Sequence, residues 1–406
     1  MYTLTHIFNT ENMITERQIF YNHVAQTSDE PIGLEIVKAE GIYMIDKDGK
    51  KYIDLISGVS VSNIGHRHPK VVKAIKDQVD KYMHLMVYGE YIQTPQVKYA
   101  ELLIKQLPNN FDNIYFVNSG SEANEGAIKL AKRYTGRYEI ISFNKAYHGS
   151  THGVLSLLGD EYFKQAFRPL VPGVKFINFN AEEELNQITE KTAAVIIEPV
   201  QAEAGIITPK EDYLKKLRAK CTETGTLLIF DEIQTGFGRT GKLFAFETYN
   251  VIPDIFTIAK GMGGGMPIGA FVSSKKIMTV FKNNPILGHI TTFGGHPVSA
   301  AAAYANLNVL LNENIIDEVN KKGELFKKLL KHKQIKSIRG VGLFLAVEME
   351  SYSKIRKLLN KTIEKGLVFD WFIFNDNHFR ISPPLNITEK EIEIASDIII
   401  SSINEI

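Results

Sequence analysis

The sequence predicts an α/β fold, with a large domain built on a mostly parallel sheet flanked by helices and a smaller α+β domain beside it. Between about residues 110 and 275, short apolar runs alternate with stretches of helical character. Buried strands interleaved with helices are typical of a parallel sheet that is covered on both faces. The chain has 406 residues, 44% of them hydrophobic, which is enough for a large core.

The N-terminal part is expected to contribute short strands and one helix. Residues 1–12 are polar and aperiodic, and we expect them to form a loose tail. Residues 35–56 are expected to form short strands with a turn at Asp48-Gly49. Residues 69–84 are expected to form a helix, because proline is favoured in the first helical turn and Pro69 stands there.

The central part supplies the expected strands of the large sheet. These strands correspond to the runs NIYFV, EIISF, VKFINF, AAVIIEPV, TLLIFDE, IFTIA and GAFVSS. Stretches of helical character lie between them, among them EANEGAIKLAKRY and EDYLKKLRAKCTET. Because ligands bind at the carboxyl ends of the strands in such sheets, we expect the functional residues there.

The C-terminal part is expected to mix helices and strands. It comprises two helices over residues 297–332, a strand region at RGVGLFLAVEME, a helix near 351–365, the segment FRISPPL and a last helix from residue 388. This part is expected to pack with the N-terminal segment. The expected division is therefore a large domain over residues 61–304 and a discontinuous small domain formed by residues 1–60 and 305–406.

Composition disfavours several classes of partner. Lys and Arg total 47 against 46 Asp and Glu, so a net charge of +1 gives no electrostatic reason to expect nucleic acid or an anionic membrane. No run approaches the roughly 18 apolar residues of a membrane span. The single cysteine, Cys221, cannot form an intrachain disulfide or a cysteine-based zinc site, which favours a reducing, cytoplasmic setting. Cys221 itself is expected to pack on a helix face.

Two strand ends carry candidate binding groups. After YFVNS, Gly120 and Ser121 open a helix, and the free N–H groups of a helix N-terminus suit a phosphate. Alone this is weak evidence, because any capped helix after a strand has the same pattern. Asp231 follows the apolar run LLIF, where an unpartnered carboxylate is costly. It is either a cap for a neighbouring loop or the partner of a buried cation.

Lys260 is the candidate reactive amine. It ends the apolar run IFTIA and precedes a glycine-rich loop. A surface lysine is the ordinary interpretation, but desolvation in such a place lowers the pKa of a lysine and frees its amine for carbonyl chemistry. The spacing G-x-G-G-G-x-P differs from the dinucleotide fingerprint G-x-G-x-x-G, which disfavours a nucleotide-binding oxidoreductase.

Aromatic and imidazole side chains mark two further segments. Tyr147 and His148 follow the run EIISF, so the tyrosine ring either stacks on a planar ligand or packs in the core. His66 and His68 invite a metal interpretation, but no third ligand has a suitable spacing, and we expect no metal site. A supporting role in their loop is the preferred interpretation.

Taken together, these motifs resemble the class-III aminotransferases, the ornithine, acetylornithine and 4-aminobutyrate type, from about residue 18 to the C-terminus. The resemblance implies fold type I and the cofactor pyridoxal 5'-phosphate. The most specific stretches are NSGSEAN, AYHG, IIEPVQAEAG, FDEIQTGFGRTG, AKGMGGGMPIGA, TTFGGHPVSAAAA and FRISPPL.

The resemblance also implies roles for individual residues toward the cofactor. Lys260 would be the Schiff-base lysine and proton shuttle, and Asp231 would pair with the pyridine nitrogen. The remaining cofactor contacts are Gln234 at the phenolic oxygen, Tyr147 on the ring face with His148 beside it, Gly120 and Ser121 at the phosphate, and Glu198 in support of Asp231. Thr292 would reach the phosphate in the neighbouring subunit, which implies a homodimer with active sites at the subunit interface.

Toward the substrates, the resemblance implies an α-carboxylate-binding Arg380 and a switch glutamate, Glu203, that pairs with it when an ω-amine enters. The expected reaction moves an amino group from a primary amine or amino acid, of the acetylornithine, ornithine or ω-amino-acid kind, to a 2-oxo acid. One departure concerns Ser150, because these relatives usually carry arginine there for a second carboxylate. Pyruvate and 2-oxoglutarate both stay open as acceptors, and an aminomutase or decarboxylase is the alternative within the family.

Overall fold

The computed structural model describes residues 14–406, so the tail expected over residues 1–12 lies outside the described part. Its helices are α1 (Glu16–His23), α2 (Ser57–Ser60), α3 (Pro69–Val79), α4 (Thr94–Ile104), α5 (Gly120–Thr135), α6 (His152–Leu155), α7 (Tyr213–Thr224), α8 (Ala245–Tyr249), α9 (Lys275–Met278), α10 (Pro297–Asn312), α11 (Val319–Leu329), α12 (Tyr352–Glu364) and α13 (Glu389–Ile403). Short 3-10 helices cover Glu161–Phe163, Gln165–Phe167, Glu182–Gln187, Lys260–Met262 and Thr279–Lys282.

The strands divide into one large and two small sheets. They are β1 (Ile36–Glu40), β2 (Tyr43–Asp46), β3 (Lys51–Asp54), β4 (Asn113–Val117), β5 (Glu139–Phe143), β6 (Val174–Ile177), β7 (Thr192–Ile197), β8 (Leu227–Asp231), β9 (Ile255–Ile258), β10 (Gly269–Ser273), β11 (Ser337–Val341), β12 (Phe344–Glu348), β13 (Leu367–Val368), β14 (Trp371–Phe372) and β15 (Asn375–Ile381).

The large sheet has seven strands in the order β4-β10-β9-β8-β7-β5-β6. The neighbouring pairs from β9 to β6 are parallel, whereas β10 runs antiparallel to both β4 and β9. Every residue of β7, β8 and β9 is buried, as continuous apolar strands between two helical layers should be. The predicted mostly parallel sheet is thus confirmed.

Helix α5 connects the sheet to the candidate phosphate position. It begins where the Ser119 hydroxyl accepts a hydrogen bond from the Glu122 N–H, and it ends at Gly136, whose φ of 68° suits the left-handed cap. Its apolar face packs on the sheet, and Gly126 lies so close to the ring of Phe271 on β10 that a side chain would collide with it. This close approach fixes the N-terminus of α5 over the strand ends.

One of the two small sheets joins distant parts of the chain, and the other forms within residues 337–381. One has the order β1-β2-β3-β13, in which β13 runs parallel to β3 and pairs Leu367 with Ile53. The other has the order β11-β12-β15-β14 and is antiparallel throughout. The pairing of β3 with β13 brings an N-terminal and a C-terminal segment of the chain together, and the discontinuous small domain stays a prediction. The boundaries at 60/61 and 304/305 stay a prediction, and the second falls inside α10.

Two local expectations differ from the structure. The helix expected over residues 69–84 ends earlier, at Val79. Beyond it, the Tyr82 carbonyl accepts a hydrogen bond from the Gln78 side-chain amide at 3.0 Å. The short strands expected over residues 35–56 include a turn besides the one at Asp48-Gly49, since Gly41 adopts a φ of 59° and turns β1 back on β2. Within residues 14–406, no helix combines the length and apolar character needed to cross a membrane.

Candidate active site

A cavity of about 400 Å³ opens at the carboxyl edge of the large sheet. The ends of β8 and β9 and the N-terminus of α5 form its floor and one wall. The sequence places functional groups at these strand ends, and the fold brings them to one space. Most of the expected site residues line it: Gly120, Ser121, Tyr147, His148, Glu198, Asp231, Gln234 and Lys260.

One end of the cavity is suited to an anion. Gly120 and Ser121 are the first two residues of α5, so backbone N–H groups without helical partners and the positive end of the helix dipole face the cavity. Gly149 follows the Tyr147-His148 pair with a φ of 124°, and a side chain there would collide with the Ser121 hydroxyl. The glycine therefore keeps this end open.

Asp231, at the end of β8, is surrounded by several buried hydrogen-bonding partners. One of its oxygens, Oδ2, lies 2.7 Å from His148 Nδ1 and accepts a hydrogen bond from Asn124 Nδ2 at 2.8 Å. The other, Oδ1, accepts from the Ile233 N–H at 3.0 Å. The side chain is buried yet reaches the cavity. Asp231 is thus held in one orientation, with its charge available to a cation in the cavity.

Glu198 is a second buried carboxyl on the cavity wall. Its two oxygens accept hydrogen bonds from the N–H groups of Tyr147 at 3.1 Å and Ala202 at 3.0 Å. Burial raises the pKa of the Glu198 carboxyl to about 7, and the neighbouring Asp231 charge acts in the same direction, against His148. Glu198 thus joins the backbone at Tyr147 to the backbone at Ala202.

Lys260 lies immediately beyond β9, in a strained backbone conformation. Its φ is 47°, which is uncommon for a residue with a side chain and is often found at functional sites. Burial lowers the pKa of the Lys260 ammonium to about 8, although Glu203 acts against this shift. The neutral amine is therefore accessible close to neutral pH, which is what carbonyl chemistry requires.

Tyr147 presents a half-buried ring to the cavity. Burial raises the pKa of its hydroxyl, so the phenol stays neutral at physiological pH. Behind the ring, Leu155, Leu158 and Phe374 form a small apolar cluster. The ring is thus supported on one side and exposed to the cavity on the other, as a stacking residue should be.

Arg380 and Glu203 form a buried ion pair behind the cavity. The Glu203 oxygens lie 2.9 and 3.0 Å from Arg380 Nη2, and Gln234, which lines the cavity, donates to Glu203 at 3.1 Å. Burial alone would raise the pKa of Glu203, but Arg380 holds it below its ordinary value. Burial would likewise lower the pKa of Arg380, but Asp370 and Glu203 raise it. Both groups are therefore charged.

Thr292 is the one expected cofactor contact that the single chain does not bring to the cavity. It is exposed, in the segment between α9 and α10. Neighbouring apolar side chains in this segment, Ile286, Leu287, Ile290 and Phe293, are exposed as well. Thr292 is not among the residues that line the cavity, so its contact with a cofactor stays a prediction.

Sequence reasoning missed two residues that contact this site. Asn124 donates to both Asp231 and the His148 carbonyl, each at 2.8 Å, and accepts from Thr257 at 2.8 Å. Its signal was its position in NSGSEAN, one helical turn after Gly120. Asp370 lies 3.3 Å from Arg380 Nε, and nothing in the run GLVFDWF marks it as functional.

The two histidines of GHRHP lie apart from the cavity and contact carboxylates. His66 Nε2 lies 2.8 Å from Asp54 Oδ2, and His68 Nε2 lies 3.5 Å from Glu313. In the part of the chain that the structure describes, no group of three or more His, Cys, Asp or Glu side chains could hold a metal ion.

Cys221 is buried on α7, and burial raises the pKa of its thiol to about 12.

The donor groups fit a flat cofactor with an aldehyde, a basic ring nitrogen and a phosphate. The helix N-terminus at Gly120 suits the phosphate, and the Asp231 carboxylate suits a protonated ring nitrogen. Tyr147 offers an aromatic face, and Lys260 offers an amine of lowered pKa. Pyridoxal phosphate combines these features, so the residues present fit it.

Comparisons with known proteins agree with this chemistry. Residues 24–403 match the family model described as aminotransferase class-III. An acetylornithine aminotransferase of Clostridium acetobutylicum is 41% identical over 90% of this chain and 95% of its own. A [LysW]-aminoadipate semialdehyde/glutamate semialdehyde transaminase of Sulfolobus acidocaldarius is 37% identical over 90% and 94%. The ornithine aminotransferase structure from Toxoplasma gondii, described with partial occupancy of PLP, superimposes with a TM-score of 0.88 at 30% identity, covering 95% of this chain and 92% of that one.

Proposed function

This chain is a pyridoxal-phosphate-dependent aminotransferase of the class-III family with the fold type I architecture, and from that premise we propose that it moves an amino group from an acetylornithine-, ornithine- or ω-amino-acid-like donor to a 2-oxo acid. The buried Glu203–Arg380 pair beside the cavity carries this proposal. A displaceable counter-ion on a carboxylate-binding arginine suits an enzyme that alternates between two kinds of amine.

Residues of this chain would hold the cofactor at three points. The N-terminus of α5 at Gly120 and Ser121 would hold its phosphate, Asp231 its ring nitrogen, and Lys260 its carbonyl carbon. Gln234 would contact its phenolic oxygen, and Tyr147 its ring face. When bound, pyridoxal phosphate supplies an aldehyde that condenses with amines and a ring that withdraws electrons.

Lys260 would also move the proton. Its amine has a lowered pKa of about 8, so it exchanges a proton at little cost near neutral pH. The strained backbone at this residue and the adjoining loop place the amine at the floor of the cavity. Asp231, oriented by His148 and Asn124, would keep the ring nitrogen protonated.

Arg380 would select between donors. With Glu203 in place its charge is neutralised, and an amine that carries no carboxylate near its reacting end can enter. When Glu203 moves aside, the planar guanidinium can bind an α-carboxylate in a two-point fork. The names of the relatives in the comparisons support donors that carry an amine distant from an α-carboxylate.

The active unit we propose is a homodimer. Thr292 is exposed and does not line the cavity of its own chain, and the exposed apolar side chains around it would be covered by a second copy. Each cavity would then be completed by the Thr292 hydroxyl from the other chain. We also propose a cytoplasmic location, since the single cysteine, Cys221, is buried and free.

A half-reaction screen tests the proposed function. Purified protein is mixed with single amines, and the absorbance of the lysine-bound cofactor is followed as it converts to the aminated form. Ornithine-type and acylated ornithine-type donors should convert it, and a subsequent 2-oxo acid should restore it. Conversion by none of these amines, or release of carbon dioxide instead of restoration, would reject the proposed reaction and favour a mutase or decarboxylase.

A further inference from the structure

Arg380 is held by two carboxylates that lie on different edges of its guanidinium. Glu203 lies at Nη2, whereas Asp370 Oδ1 lies 3.3 Å from Nε. Gln234 Oε1 lies 3.3 Å from Nη1. Nη1 and Nη2 therefore have hydrogen-bond partners, whereas the contact between Nε and Asp370 is an ionic one whose geometry is not that of a hydrogen bond.

The two carboxylates differ in their relation to the cavity. Glu203 is bonded to the cavity-lining Gln234, so it lies on the side from which a substrate approaches. Neither carboxylate lines the cavity itself, and Asp370 makes no such contact with Gln234. The main-chain carbonyl of Asp370 accepts a hydrogen bond from the Arg380 N–H at 2.8 Å. Asp370 is thus tied to the arginine through the backbone as well as through its side chain.

Asp370 and Arg380 form an ion pair in a place that water hardly reaches. The side chain of Asp370 is 22% exposed and that of Arg380 only 2%, so the pair is poorly screened by water. Burial raises the pKa of the Asp370 carboxyl to about 6, since it outweighs the opposing effect of Arg380, and Glu203 and Asp54 act in the same direction as burial. The ring of Phe372 covers one face of the guanidinium, 4.7 Å from its carbon.

We propose that Asp370 is a positioning residue that holds Arg380 from the Nε edge, so that the guanidinium keeps its orientation when Glu203 gives way to a substrate carboxylate. Glu203 is then the exchangeable partner and Asp370 the permanent one. This inference rests on the proposed role of Arg380 in binding α-carboxylates. With Asp370 in place, Arg380 does not become an unpaired buried charge while Glu203 is exchanged for the substrate carboxylate.

The test compares two kinds of amine in the half-reaction of the intact holoenzyme. In Asp370→Ala, the loss of rate at low substrate should be about tenfold greater for an α-amino acid than for a primary amine without a carboxylate. The additional loss should appear in the apparent dissociation constant and not in the limiting rate, because Arg380 binds the carboxylate and not the reacting atoms. Asp370→Asn, which keeps the shape of the side chain but removes its charge, should recover little of the loss, because the contact at Nε is ionic and not a hydrogen bond.

Two reference variants make the outcomes distinct. Asp376→Ala removes an exposed carboxylate from β15, the strand that carries Arg380, and should match wild type with both amines. Arg380→Ala measures the full contribution of the arginine. If Arg380→Ala weakens α-amino acids and Asp370→Ala weakens both amines equally or neither, the positioning role is wrong while the proposed function stands. If Arg380→Ala spares α-amino acids, the role of Arg380 fails and the inference about Asp370 fails with it.

Discussion

At the residue scale, the lowered pKa of Lys260 sets when the amine can react. With a pKa of about 8, roughly a tenth of the amine is neutral at pH 7, against fewer than about one in a thousand for an unperturbed lysine. Capture of pyridoxal phosphate by the cofactor-free protein should therefore accelerate with rising pH and level off above about pH 8. Stopped-flow absorbance would measure this, and an inflection near pH 10 would contradict the assigned environment.

Glu198 titrates in a similar range and needs its own control. Its pKa lies at about 7, so its ionisation could be mistaken for that of Lys260. In Glu198→Gln the inflection of cofactor capture should stay in the region of pH 8, because the attacking amine is unchanged. An inflection that disappears in this variant would assign the titration to Glu198.

Removal of the Lys260 amine should abolish the absorbance of the lysine-bound cofactor and lower turnover by at least about a hundredfold, since a positioned acid–base group contributes roughly 10² to 10⁴. Absorbance spectra and the half-reaction rate of Lys260→Ala measure both effects. Lys242→Ala, at an exposed position, is the matched control and should resemble wild type. An unchanged spectrum in Lys260→Ala would place the bound carbonyl elsewhere.

Ser150 tests which acceptor the enzyme uses. Among the described residues that line the cavity, Lys260 is the only lysine or arginine, so a second carboxylate on the acceptor has no evident cation within one chain. Ser150→Arg should improve the second half-reaction with 2-oxoglutarate about tenfold and leave pyruvate little changed. If wild type already uses 2-oxoglutarate efficiently and the variant changes nothing, another cation, such as one from the partner chain, binds that carboxylate.

Single residues also show where sequence reasoning reaches its limit. Lys260 and Asp231 could be found because each ends an apolar run, and a reactive group after a buried strand stands out in the sequence. Asp370 could not, because it meets Arg380 only through the pairing of β14 with β15, in which Trp371 faces Phe379. That register depends on a tight turn whose sequence, FIFND, carries no glycine or proline signal.

At the element scale, the strands and helices were predictable but their arrangement was not. Each of the seven expected apolar runs overlaps a strand of the large sheet. The order of the strands in the sheet was not evident, since an apolar run indicates that a strand is buried but not which strand pairs with it. β10 runs in the reverse direction because the connection between β9 and β10, which includes the Gly261–Gly265 loop, is too short for a helical crossover.

The contact of α5 with β10 gives an element-scale prediction. Gly126→Ala should lower the free energy of unfolding by about 1–3 kcal/mol, because the methyl group would enter the ring of Phe271. Thermal or denaturant unfolding measures this. Lys129→Ala, at an exposed position of the same helix, should stay within about 0.5 kcal/mol of wild type. Equal stability of Gly126→Ala and wild type would show that the helix can move away from the sheet.

At the scale of the whole molecule, the exposed apolar segment before α10 should decide the oligomeric state. Phe293 is 53% exposed, and a charge placed there would have to be buried in the proposed interface. Phe293→Glu should dissociate the dimer and weaken retention of the cofactor, as measured by sedimentation and by absorbance after dialysis. Ile394→Glu, at an exposed position of α13, should remain dimeric. A wild-type monomer that turns over at micromolar concentration would contradict the shared site.

Apart from Thr292, the groups that would hold the cofactor lie between Gly120 and Lys260 at the edge of the large sheet, whereas Arg380 and Asp370 lie on a hairpin more than a hundred residues later. Of the residues proposed to select the amine, Arg380 and Asp370 therefore lie in a separate stretch of the chain, whereas Glu203 lies among the cofactor-holding residues. Mutations in the hairpin can change the accepted amine while the reactive groups stay in place, so new specificities can arise by small exchanges there. A chimera that takes residues 367–381 from a relative should keep its yellow colour and acquire a different donor preference.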